Sequence, residues 1–292
     1  MKKTRLAKAI ATAVAGSVLS LAAVDAASAH TMYNTYNAGT APDEGGTDGW
    51  VYGGPNNPTY PVATPGWVGT ASPTTLPFGY SGRAALNWAA ELHAAGDSLE
   101  ISRADALARY GVAADIDTGK GAWQDASATP QGWSHNTDIG LFRSHVDAYV
   151  TLNLSGVNSV IANFGITIFE GMDLGLDNGT EDPYYSHHAV WNKPSDLLDF
   201  TADNPFGTTG LTYLTHSANV DAVNGLTFFA EAGKIYSIFL GGSGGRSWML
   251  DRDEYVLTIT SSPVPIPAAF WLFGSALLSL RFFGKRFKDV GA

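Results

Sequence analysis

From His145 to Leu154 apolar and polar residues take turns. Val146, Ala148, Val150, Leu152 and Leu154 fall on one side, His145, Asp147, Tyr149, Thr151 and Asn153 on the other. Successive side chains of a strand point to opposite faces, so this stretch predicts a strand with a core face and with His145 on its polar face. Similar alternation marks Phe164 to Phe169, Ile235 to Leu240 and Tyr255 to Thr260, and Gly241 to Gly245 supplies a turn. Nearer the N-terminus the period changes. Ala85, Trp88, Ala89 and Leu92 share one helical face, and Gly96 sits where a helix would stop. A second helix is predicted from Ser102, whose hydroxyl can cap it with Asp105 at the third helical position, to Gly111. Residues 30–80, dense in Gly, Pro, Thr and Asn, predict short strands and ordered loops. The expected fold is mainly β: an antiparallel β-sandwich over residues 131–262, after a Gly/Pro/aromatic-rich part, residues 30–130, with a short two-helix insertion near residues 83–111.

Composition narrows the chemistry. The absence of Cys excludes a disulfide framework, a thiolate zinc site, an iron–sulfur cluster and a cysteine nucleophile. A metal would therefore be held by His, carboxylate or Met. The formal net charge is −10, and basic residues gather at the two ends (Lys2, Lys3, Arg5, Lys8; Arg281, Lys285, Arg286, Lys288), so the interior is more acidic than the whole. Such a chain has no footprint for nucleic acid. With 45% apolar residues it can bury a core, and 33 Gly and 14 Pro suit a turn-rich β protein.

Both ends read as sorting signals. Residues 1–29 run from a basic start through the apolar Ala9 to Ala23 to Ala27-Ser28-Ala29, the small-x-small pattern of signal peptidase cleavage, so the mature chain is expected to begin at His30. Residues 263–292 read Val264-Pro265-Ile266-Pro267-Ala268-Ala269-Phe270-Trp271-Leu272-Phe273-Gly274-Ser275-Ala276-Leu277-Leu278 before a basic end. The apolar run Ala268 to Leu280 is shorter than the roughly 20 residues that span a bilayer; counted to Phe283 it spans marginally, with the basic tail left in the cytoplasm. This tail resembles the PEP-CTERM sorting signal of Gram-negative bacteria, with Ile266 in place of the eponymous Glu and with Arg281 interrupting the apolar stretch. The resemblance implies transient inner-membrane contact, processing by an exosortase and delivery to the cell surface.

The residues left to carry chemistry are seven histidines, since no hydrolase, zincin, phosphate-loop or dinucleotide motif occurs. Gly132-Trp133-Ser134-His135-Asn136-Thr137-Asp138 is the most informative stretch, followed some fifty residues on by His187-His188. In an extended segment Trp133 and His135 share a face, so a metal on His135 would lie beside Trp133, and Asp138 could hold the ring by its other nitrogen. These residues resemble the MopE/CorA group of surface copper proteins of methane-oxidising bacteria. In that group two His and a tryptophan oxidised to kynurenine, two residues before the first His, hold Cu(I). The resemblance implies a copper site of Trp133, His135 and either His187 or His188, for copper acquisition or handling at the surface, without turnover. Imidazole ligands suit copper independently of that resemblance.

Three other readings stand beside it. His135 and the His pair could be ordinary loop histidines of a structural or adhesive matrix protein. A free N-terminal His30 offers its amine and its ring to copper and, with one more His, makes the copper brace of lytic polysaccharide monooxygenases and some periplasmic copper carriers. Finally, the acidic loop Asp173 to Asp182 carries hard oxygen ligands that suit Ca²⁺, or is a solvated loop.

Overall fold

The structure, a computed structural model, describes residues 29–35, 66–82, 86–124, 132–133, 137–174, 210–244, 251–265 and 273. Thirteen strands and one α-helix follow one another among them: β1 (His30–Asn34), β2 (Trp67–Val68), β3 (Trp88–Leu92), β4 (Ser98–Ile101), α1 (Arg103–Tyr110), β5 (Asp117–Gln124), β6 (Gly132–Trp133), β7 (Asp138–Ser144), β8 (Ala148–Gly156), β9 (Phe164–Gly171), β10 (Leu211–Val220), β11 (Leu226–Ala230), β12 (Ile235–Ser243) and β13 (Arg252–Pro263). The chain divides into two units, Met1–Ser262 and Pro263–Ala292. Among the described residues no helix is long and apolar enough to cross a membrane.

The protein is mainly β, as the alternation predicts. One layer runs β2-β1-β3-β7-β12-β9-β10, and a second holds β4, β13, β8 and β11. β5 bridges them, parallel to β12 and antiparallel to β13. Pairing is mostly antiparallel, but β3 with β7 and β5 with β12 are parallel, so the sheet is mixed. The inner faces meet in the larger core: Trp88, Ala90 and Leu92 of β3, Ile166 and Ile168 of β9 and Ile238 and Leu240 of β12 pack with Val150 and Leu152 of β8 and Tyr255, Leu257 and Ile259 of β13. The other face of the first layer is covered too, in a second core of Met32, Trp67, Tyr80, Ala89, Leu141, Phe169 and Phe239.

That double burial explains where the sequence pattern misleads. The helix expected from Ala85 to Gly96 is strand β3, all five of whose residues are buried. A strand covered on both faces shows no alternation, and its continuous apolar run imitates a helical stripe. Gly96, at φ +97°, turns the chain from β3 into β4 rather than ending a helix. The second expected helix is α1, capped by Ser102, whose hydroxyl accepts the Asp105 N–H at 2.9 Å, and ended by Gly111 in the left-handed region at φ +69°. The insertion therefore contains one helix.

A buried polar chain ties the layers together. Trp88 Nε1 donates to the Tyr255 hydroxyl (3.0 Å), which donates to Asp138 Oδ2 (2.6 Å), while Asn87 Nδ2 donates to Asp138 Oδ1 (3.0 Å). Burial and the adjacent Asp138 carboxylate push the Tyr255 hydroxyl well above the usual tyrosine range.

Candidate metal centre

Register brings the site together. Antiparallel pairing sets His30, the first residue of β1, opposite Glu91 of β3, and parallel pairing sets Glu91 beside Arg143 of β7. Paired residues share a face of the sheet, and so do residues two apart on one strand. His93 therefore follows Glu91 on that face, and His145 follows Arg143. The ladder runs on through a hydrogen bond from the His145 N–H to the Leu92 carbonyl at 2.8 Å. Asp97 pins the turn by accepting from the N–H groups of His93 (3.0 Å) and Ala94 (2.7 Å).

Glu91 is the hub, with its side chain 7% exposed. Its Oε1 accepts from Arg143 Nε at 2.7 Å, from Arg143 Nη2, and from His145 Nε2 at 2.5 Å. Its Oε2 lies 3.4 Å from His30 Nε2 and 3.9 Å from His93 Nε2. The three imidazoles stack: His30 on His93 with centroids 5.6 Å apart, and His93 on His145 at 4.4 Å. Phe78 closes one side beneath the Arg143 guanidinium, 4.4 Å from ring centroid to Cζ.

Charge follows geometry. Burial opposes ionisation of Glu91, but hydrogen bonds from His145 and Arg143 and the Arg143 charge outweigh it and hold the carboxyl below its ordinary range. Burial lowers the pKa of His30 against the pull of Glu91, helped by His93, Arg143 and His145. The ring is thus biased to the neutral form that binds metals.

The ligand atoms of His30, Glu91 and His93 all lie within 4.8 Å of one another, the one such group among the described residues. His30 Nδ1 and His93 Nε2 are 3.5 Å apart. Two nitrogens each about 2.0–2.1 Å from one ion can be at most about 4.2 Å apart, so the separation of these two is compatible with a shared ion.

Of the sequence motif only the Trp133 backbone is among the described residues. Trp133 pairs through its backbone with Trp123 across β5 and β6. Its side chain, together with His135, His187 and His188, lies outside the described residues. Asp138, expected to hold His135, accepts from Asn87 and Tyr255. His216, on β10, has its ring 5.8 Å from that of Trp123 and is hydrogen-bonded to the Tyr213 hydroxyl at 2.6 Å. Of the acidic loop only Asp173 and Leu174 are described; the Asp173 carboxylate is buried and accepts from the Tyr80 hydroxyl at 3.5 Å. His145 is exposed, as a polar-face residue should be, but strand β8 begins only at Ala148, and His145 sits in the preceding turn in contact with Glu91. The signal for the cluster was Glu91-x-His93 and Arg143-x-His145, a shared spacing that has this meaning only if both segments are strands.

No known protein family matches the chain, and no curated protein matches it in sequence. Two of the solved structures that resemble it are copper-binding proteins. One is CorA of Methylomicrobium album BG8, described as a surface-associated copper-binding protein important in copper acquisition, at 12% identity and TM-score 0.30, covering 59% of this chain and 98% of that one. The other is the secreted protein MopE of Methylococcus capsulatus, in which an oxidised tryptophan facilitates copper-binding, also at 12% identity and TM-score 0.30, covering 75% of this chain and 96% of that one.

Proposed function

We propose that this chain is an exported copper-binding protein whose centre is His30, Glu91 and His93, with His145 and Arg143 holding Glu91. The reading is carried by the convergence of two imidazoles and a carboxylate within 4.8 Å, and not by the likeness to CorA and MopE. Neutral imidazole with carboxylate suits first-row divalent ions, among which Cu²⁺ forms the most stable complexes. With no Cys in the chain, nothing in the centre can be lost to a disulfide outside the cytoplasm. The leader and the C-terminal signal would deliver it to the surface after exosortase processing. Binding and handling of copper, without turnover, is the activity.

A second reading keeps the Trp133, His135 and His187 or His188 motif as a separate Cu(I) site. It rests on the sequence spacing of Trp133 and His135 and on the distant His pair.

One experiment separates the two. The exported protein, purified metal-free, is titrated with Cu²⁺ and with Cu(I) alongside His93→Ala, Glu91→Gln and His135→Ala. Loss of at least about tenfold in Cu²⁺ affinity in the first two, with His135→Ala unchanged, is the expected result. Wild-type Cu²⁺ binding in both His93→Ala and Glu91→Gln would sink the centre. Loss confined to Cu(I) in His135→Ala, with a Trp133 peptide of altered mass, would support the second site.

A further inference from the structure

His30 differs from the other donors by its place in the chain, directly after Ala27-Ser28-Ala29. Its two ring nitrogens face different partners: Nε2 lies 3.4 Å from Glu91 Oε2, and Nδ1 lies 3.5 Å from His93 Nε2. In the tautomer with its proton on Nε2, on the side of the carboxylate, Nδ1 is the bare nitrogen, turned toward the second imidazole. A nearby carboxylate favours that tautomer, because it draws the proton to the nitrogen it faces and leaves the other for a metal. Nδ1 is also the ring nitrogen that can chelate with the residue's own main-chain nitrogen, because an ion bound to both closes a ring through Cα, Cβ and Cγ. In the uncleaved chain that main-chain nitrogen is an amide. Cleavage after Ala29 turns it into a primary amine, a metal ligand in its own right.

We infer that cleavage after Ala29 completes the centre, so that the mature protein binds Cu²⁺ through the His30 α-amine, His30 Nδ1 and His93 Nε2. This rests on the copper centre proposed above and names the ligand which that centre gains from processing. Glu91 then orients the His30 ring through Oε2, while Arg143 and His145 keep Oε1 occupied. The precursor lacks the amine, so copper affinity is switched on by the peptidase, after the chain has left the cytoplasm.

The fold tolerates the uncleaved form: with Ala29 in place β1 is paired from His30 onward, and Ala29 packs partly against the core. An extended chain is therefore a folded control. The extension must exceed two residues, because short termini of the type X-His or X-X-His bind copper through their own amides. The test compares two full-length forms, one beginning at His30 and one at Asp25, each with its N-terminus verified by mass. Both are titrated with Cu²⁺ alone against a competing chelator and examined by electron paramagnetic resonance. The form beginning at His30 should bind one Cu²⁺ at least about 100-fold more tightly, since a tethered donor acts at high effective concentration. Its spectrum should show three coupled nitrogens, reduced to two by His93→Ala. Equal affinity and identical spectra in the two forms would overturn the amine ligand and leave the centre standing. Absence of Cu²⁺ binding in both would overturn the centre and the amine ligand together.

Discussion

Arg143 occupies the position of a standing counter-ion in the centre. It holds one oxygen of Glu91 while the other is turned to the imidazoles. Replacing it with Gln removes a charge-assisted pair from a mostly buried carboxylate. Arg143 is itself about one-third exposed, so the expected loss is about 1–2 kcal/mol of metal-free stability, read by urea denaturation. The same replacement should strengthen copper binding, because Glu91 no longer divides its charge between an ion and a guanidinium; weaker binding would show that Arg143 helps assemble the site. Acid acts on two groups in one direction. His30, faced by Glu91, His93, Arg143 and His145, has its folded pKa depressed below 6.5, so the unfolded chain binds the proton more readily and stability falls as the pH drops through that range. Glu91 is depressed below 4.5, and its contribution persists above that value and is lost as the pH falls further, through its folded pKa. The melting temperature of the metal-free protein should therefore decline in two stages between pH 8 and pH 3. His30→Gln should flatten the upper stage, and an unaltered curve in that variant would refute the assignment.

Strand β3 carries the centre on one face and core residues on the other, and its position depends on a close approach to β7. A Cβ on Gly140 would lie 2.2 Å from the Trp88 ring. Gly140→Ala must displace a fully buried indole, at an expected cost of about 1–3 kcal/mol. Because Trp88 lies three residues before Glu91, copper affinity should fall in the same variant, and stability lost without any change in affinity would show that β3 and the centre are not coupled. Helix α1 lies against β1, where Asp105 accepts from the hydroxyls of Thr31 and Tyr33. Ser102→Ala removes its cap and should cost about 1 kcal/mol in denaturant stability. These two elements also mark what was legible in the sequence. Helix α1 could be read from its cap and its stop. Strands such as β8 and β13 could be read from alternation, since they bury only one face. β3 could not, because a strand covered on both sides loses the period that distinguishes it from a helix. The misreading hid the site as well. With Glu91 and His93 taken for helical neighbours their side chains diverge, and only as a strand do they share a face with His30 and Arg143.

At the scale of the whole molecule the two layers are joined by hydrogen bonds as well as by apolar contact. Tyr255 of β13 accepts from Trp88 of β3 and donates to Asp138 of β7. Tyr255→Phe removes one hydrogen bond from the Trp88 N–H and one from the buried Asp138 carboxylate, and should cost about 1–3 kcal/mol of stability, read by denaturation. A near-neutral result would mean that the layers are held by packing alone. The order of strands has a further consequence, for timing. β1, β3 and β7 lie side by side but are far apart along the chain, and β7 is flanked on its other side by β12, later still. Contacts between such distant segments form slowly, because a long loop must close before any pairing rewards it. A chain crossing a membrane N-terminus first exposes His30 long before Glu91, His93 and Arg143 arrive to meet it. On the export proposed above, the emerging polypeptide would have no assembled trap for metal, and loading would wait until translocation has passed Ser144 and the sheet has closed.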